Sequence, residues 1–158
     1  MDGRMITAGG LTGYDLLEGQ GDFPTVDSWR AGMDDGALPM DPVRLIPGGV
    51  RLLPESNFVR GAMRKPLSQR VPARVAFEGY FKLETPGQRL VYLTAIFGTA
   101  SFQISRLVTS TDSWASLRGS VVAEPSGQTA LFVLRVVANM GAGLPVVQAR
   151  NVRMAAVY

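Results

Sequence analysis

Neither histidine nor cysteine occurs among the 158 residues of this chain, which removes the commonest general base, the commonest metal ligand and every thiolate nucleophile at once. Catalysis would have to rest on carboxylates, Lys, Tyr or Ser. Hydrolysis by paired carboxylates needs two acids roughly 5–10 Å apart. Glu78 shares its strand face with Lys82 rather than with another acid, and Glu84, Asp112 and Glu124 fall in turns. No catalytic residue is therefore assigned, and no enzyme is expected. Gly9, Gly10 and Gly13 lack the neighbouring lysine that a phosphate-binding loop requires. No cofactor and no metal site are expected.

What remains are aromatic and cationic side chains. Tyr80 lies between Glu78 and Lys82, with Arg74 further along the same polar face. Such a ring flanked by cations can serve as a ligand platform, and reads equally as an ordinary sheet-surface residue. Tyr92 and Trp114 are the other surface-facing candidates, Trp114 more as a packing residue. Arg60, Arg64, Lys65, Arg70 and Arg74 form a basic cluster without the interleaved aromatics that nucleic-acid-binding β scaffolds use, which argues against nucleic acid and for a solvated or protein-facing basic loop.

The elements that hold these residues read as strands. In Arg74–Leu83, Val75, Phe77, Phe81 and Leu83 alternate with Arg74, Ala76, Glu78, Tyr80 and Lys82, the pattern of a half-buried strand. Thr85-Pro86-Gly87-Gln88 carries the residues of a type II turn, so Leu90–Phe97 is expected to return antiparallel. Gly98-Thr99 separates it from Ala100–Val108. Trp114–Ala123 follows, and Ala130–Val137 is expected to pair with Val146–Val157. Short strands punctuated by Gly and Pro predict an all-β, antiparallel sandwich over residues 49–158.

Residues 1–48 look different. They hold nine glycines, four prolines and no sustained periodicity. Yet Leu11, Leu16, Leu17, Phe23 and Trp29 are more apolar than a solvated tail allows. The segment is expected to be an extended arm that buries these side chains on its own domain or a partner. Through Val43 there are eight acids and two Arg, a net of −6; from Arg44 onward there are fourteen cations and five acids, a net of +9. Asymmetry of this kind points to a partner. No stretch approaches the ~20 apolar residues that span a bilayer, and no signal-like leader opens the sequence. Membrane insertion is not expected, and folding in the cytoplasm is.

Three landmarks carry a family resemblance. Arg51-Leu52-Leu53-Pro54-Glu55-Ser56-Asn57-Phe58 resembles the opening strand of CenC-type carbohydrate-binding modules. Trp114-Ala115-Ser116-Leu117-Arg118-Gly119, followed by Leu131–Val137, resembles a later pair of their strands, and Gln148-Ala149-Arg150-Asn151-Val152-Arg153-Met154 resembles their last. The resemblance implies a jelly-roll β-sandwich preceded by the arm, and a carbohydrate ligand, with Arg74, Tyr80 and Lys82 as its contacts. Members commonly hold calcium with acids near the first and last strands. Here Ser56 and Asn57, and Arg150 and Asn151, stand at those places, so no calcium is expected.

A sugar-binding jelly roll with an acidic arm and no leader is expected of a tailed-phage or phage-like particle folded in the host cytoplasm. The expected protein is an oligomeric, non-enzymatic virion component: a head fibre, decoration protein or tail adhesin. Its arm would bind other capsid or tail proteins, and its exposed domain would touch an acidic host polysaccharide. The alternative is a free-standing carbohydrate-binding module.

Overall fold

The computed structural model describes residues 4–23, 43–52, 58–66, 72–97, 100–109, 113–123, 129–137 and 146–158. Its strands are β1 (Met5–Ala8), β2 (Leu11–Asp15), β3 (Val43–Ile46), β4 (Gly49–Leu52), β5 (Phe58–Pro66), β6 (Arg74–Leu83), β7 (Gln88–Phe97), β8 (Ala100–Thr109), β9 (Ala115–Val122), β10 (Thr129–Val137) and β11 (Val147–Val157). They form an antiparallel β-sandwich, as the alternation predicts. In the seven-stranded sheet β11 and β9 flank β6; the other edge of β11 takes β2 at one end and β4 at the other, with β1 outside β2 and β3 outside β4. The second sheet has the order β5-β10-β7-β8.

Period-two alternation produces the core. Val75, Phe77, Phe81 and Leu83 of β6 point inward and are buried, meeting Leu93, Phe97, Phe132 and Leu134 from the second sheet. Full burial of each large apolar side chain contributes about 1.5–3 kcal/mol.

Two pairings differ from the sequence expectation. β7 does not pair with β6, because β11 and β9 already occupy both edges of β6. The turn at Pro86-Gly87, with Gly87 at φ 99°, instead carries the chain across to the other sheet. Likewise β10 pairs with β5 and β7, not with β11. The basic cluster is not one loop either: Arg60, Arg64 and Lys65 lie on β5 and Arg74 on β6, while Arg70 lies outside the described residues.

Of the two surfaces expected for the N-terminal segment, its own domain or a partner, residues 4–23 use the first. Residues 4–23 belong to the sandwich: β2 pairs with β11 at Ala155 and Ala156, and Leu16 N–H donates to the Met154 carbonyl at 2.8 Å. Leu16, Leu17 and Phe23 are buried in the same core as Phe77, not held free for a partner. Leu11 is half-buried, against a small cluster of Ala8, Ala76 and Ala155. Trp29 lies outside the described residues.

Local chemistry explains the docking. Between Arg150 and Arg153 the register of β11 shifts through a bulge, with Asn151 at φ 50°, leaving backbone between the β2 and β4 pairings. The turn following β2 fills that gap. Its Gly21 lies so close to the Val152 carbonyl oxygen that any Cβ would overlap it. Asp15, buried, accepts hydrogen bonds from Leu17 N–H at 3.0 Å and Gly19 N–H at 2.8 Å, and Asp22 forms an ion pair with Arg153. These acids are part of the N-terminal −6, and they bond within the chain. Residues 4–23 are therefore continuous with the core.

Leu17→Ala is expected to lower the unfolding free energy by about 2–5 kcal/mol, comparable to other buried Leu truncations. Chemical denaturation followed by tryptophan fluorescence checks it; a detachable arm would leave the midpoint unchanged.

Candidate functional site

The two sheets present outer faces of different chemistry. On the seven-stranded sheet, Tyr80 stands between Ser116 of β9 and Arg150 of β11 in the cross-strand register, and Lys82 stands beside Gln148. Positions two apart on a strand are about 7 Å apart, so Tyr80 and Lys82 share one patch. Arg74 does not belong to it. The β1–β2 hairpin lies over the intervening surface, burying Ala76 against Ala8 and Ala155, with Gly9 N–H donating to Glu78 Oε1 at 3.3 Å.

The charges of that face are largely matched internally. Arg118 Nε donates to Glu78 at 2.9 Å, and Arg51 makes two hydrogen bonds to Glu84, at 2.7 and 3.1 Å. Arg74 donates to Ser120 Oγ at 3.0 Å, and Arg150 lies 4.0 Å over the centre of the Trp114 ring. Trp114 is thus half-buried beneath a cation, which removes one face of the ring from stacking on anything else. The hydrogen bond from Arg51 holds the Glu84 carboxyl below the usual carboxylate range.

The outer face of the four-stranded sheet has a different lining. Val91, Leu93, Ala95 and Phe97 of β7 point inward, so Leu90, Tyr92, Thr94 and Ile96 line the outside. Their partners on β8 are Leu107, Ser105, Gln103 and Ser101 in the same order. Thr94 donates to Gln103 Oε1 at 3.5 Å and is only 7% exposed although it points away from the core. Among the described residues no element packs over this face. It offers a half-exposed aromatic ring beside neutral hydroxyl and amide groups that both donate and accept, the equipment for a flat, polyhydroxylated ligand.

Of the aromatic candidates read from the sequence, Tyr92 belongs to this second face. Thr94, Gln103 and Ser105 escaped notice, although Ser101, Gln103 and Ser105 alternate visibly with Phe102 and Ile104. Among the described residues no group of three or more His, Cys, Asp or Glu could hold a metal ion, and no helix is long and apolar enough to cross a membrane. Ser56 and Asn57 lie outside the described residues; Arg150 and Asn151 are at the β11 bulge.

Solved structures with this architecture are numerous. A CBM4 module matches at 12% identity over 87% of this chain and 97% of its own, with a TM-score of 0.58. A CBM22-1 xylan-binding domain from Paenibacillus barcinonensis matches at 14% identity over 98% of this chain and 96% of its own, TM-score 0.56. The fold is that of carbohydrate-binding modules. The enzymatically active domain of tailspike protein 4 from bacteriophage CBA120 also matches, at 11% identity and TM-score 0.54 over 90% of this chain; the chain spans about a fifth of that protein, 21%. No protein-family model and no curated protein sequence matches.

The lowered Glu84 pKa has a defined pH signature. A carboxylate whose pKa is lower folded than unfolded adds stability that is fully present above the unfolded value, about 4.3, and lost as pH falls through the folded value. Wild type is therefore expected to melt above Glu84→Gln at pH 7, and the gap to close on acidification below about pH 4. A gap independent of pH in melting scans from pH 7 to 3 contradicts it.

Proposed function

We propose that this protein is a non-catalytic polysaccharide-binding module, and that its ligand lies on the outer face of the four-stranded sheet. The observation that carries the reading is Tyr92 set among Thr94, Gln103 and Ser105 on a sheet face over which, among the described residues, no element packs. A pyranose stacks its apolar C–H face on such a ring while its hydroxyls find the neutral donors and acceptors alongside. Likeness to modules described as carbohydrate-binding, one of them xylan-binding, supports the ligand class. On the other sheet, the Tyr80–Lys82 patch sits among charges already matched, so it is the weaker site.

The setting we propose is a phage or phage-like particle, where the sandwich serves as a head fibre, decoration protein or tail adhesin, assembled in the host cytoplasm as an oligomer with capsid or tail proteins. Likeness to part of a tailspike supports this. A free-standing carbohydrate-binding module is the second reading, supported by the match over nearly the whole length of two such modules. Mass spectrometry of purified particles from a lysate distinguishes them: fixed stoichiometry with the major capsid protein is expected for the first, absence from particles for the second.

Tyr92→Ala is expected to weaken polysaccharide binding by about tenfold or more, the usual consequence of removing a central aromatic contact, while Tyr80→Ala leaves it within twofold or so. Affinity electrophoresis against host-surface polysaccharides reads both. The opposite ranking moves the site to the other sheet.

A further inference from the structure

Apolar and polar side chains separate along the outer face of β7 and β8. In its middle Tyr92 is the cross-strand partner of Ser105, and on one side of them Thr94 is that of Gln103. On the other side stand Leu90 and Leu107, partners in the same register. Leu107 is 41% exposed and Leu90 half-buried, while their strand neighbours Val91 and Val108 are buried in the core. Single exposed leucines are ordinary on a protein surface. These two form a pair: directly opposed residues have Cβ atoms about 5 Å apart, and Tyr92 and Ser105 each lie about 7 Å further along the strand. Leu90, Leu107, Tyr92 and Ser105 thus make one square, three of its corners apolar or aromatic and the fourth a hydroxyl.

We infer that the sugar seated on Tyr92 carries a methyl-terminated substituent, an O-acetyl group or the methyl of a 6-deoxy sugar, and that Leu90 and Leu107 receive it. The inference rests on the reading of Tyr92 as the stacking surface. A sugar stacked on that ring is held by its C–H face, and a substituent projecting one position along the strands lies over the two leucines. A methyl there buries apolar surface, which a hydroxyl does not. Ser105, at the fourth corner, carries a hydroxyl that can donate to an ester carbonyl. A second protein fits the patch poorly. A stable interface covers about 800 Å² on each partner, and past the square Thr94, Gln103 and Ser101 break the apolar surface, with Ile96 isolated among them.

The test is calorimetric titration of the full chain with an O-acetylated xylan, the same xylan de-esterified in alkali, a rhamnan and an unsubstituted glucan. The acetylated xylan or the rhamnan is expected to bind at least about fourfold tighter than the de-esterified xylan and the glucan, the effect of one buried methyl. Which of the two does so identifies the substituent. Leu107→Ser is expected to remove that preference and to leave the affinity for the unsubstituted polymers unchanged, while Leu107→Met, still apolar, retains it. Leu107 is exposed, so neither variant disturbs the core. Equal affinity for substituted and unsubstituted polymers, lost in Tyr92→Ala, overturns the methyl assignment and leaves the polysaccharide reading standing. Equal weakening of every polymer by Leu107→Ser also overturns it, making the leucine part of a general stacking surface. Conversion of an oligomer to a monomer by Leu107→Ser, seen in sedimentation, gives the pair to a second copy of the chain and overturns it too. Binding of none of the four polymers overturns both.

Discussion

Val147–Val157 is hydrogen-bonded along both edges, to β6 on one and to β2 and β4 on the other, so the last strand of the chain closes a core begun by its first residues. The approach is close. Positions 13 and 21 are glycine, and a Cβ at either would overlap a carbonyl oxygen of β11, that of Ala156 or Val152. The bulge between Arg150 and Arg153 divides the strand's outer edge into two docking sites and leaves a gap that Leu16, Leu17 and Phe23 use to reach the interior. Because side chains alternate with a period of two, shifting this one register would turn the inward row of β11 to solvent. Once fixed, it fixes β6, and with it the seven-stranded half of the sandwich.

The same arrangement decides which face is left for a ligand. The N-terminal hairpin covers one end of the seven-stranded sheet, and ion pairs with Glu78, Glu84 and Asp22 satisfy much of the rest. On the four-stranded sheet no described element does either. Among the described residues, Asp15, Asp22, Glu78 and Glu84 all bond to groups of the seven-stranded sheet and its flanking turns. The −6 and +9 read from the sequence are, in space, partly an internal match.

Much of this was legible in the sequence, and the gaps have physical reasons. Strands β6 to β9 were visible because their inward and outward residues alternate cleanly, as Phe77, Glu78, Tyr80 and Phe81 show. Their pairing was not, since Pro86-Gly87 suits a hairpin and a crossing between sheets equally. Leu16, Leu17 and Phe23 gave no period because they enter a preformed gap one by one, not along one face of an element. Tyr80 and Tyr92 looked alike for a related reason. Each alternates outward on a central strand, and only the third dimension reveals that one stands beside Arg150 and the ion-paired Glu78 while the other stands on a face over which no described element packs.

The most direct test of that distinction is residue-resolved: amide chemical-shift mapping of the full chain titrated with an oligosaccharide of a polysaccharide that it binds. The account predicts that perturbed amides cluster on β7, β8 and β10 around Tyr92, Thr94, Gln103 and Arg135, with those of Tyr80, Lys82 and Trp114 unmoved. Perturbations centred on Tyr80, Lys82 and Arg150 would contradict it, placing the ligand on the sheet that β11 organises.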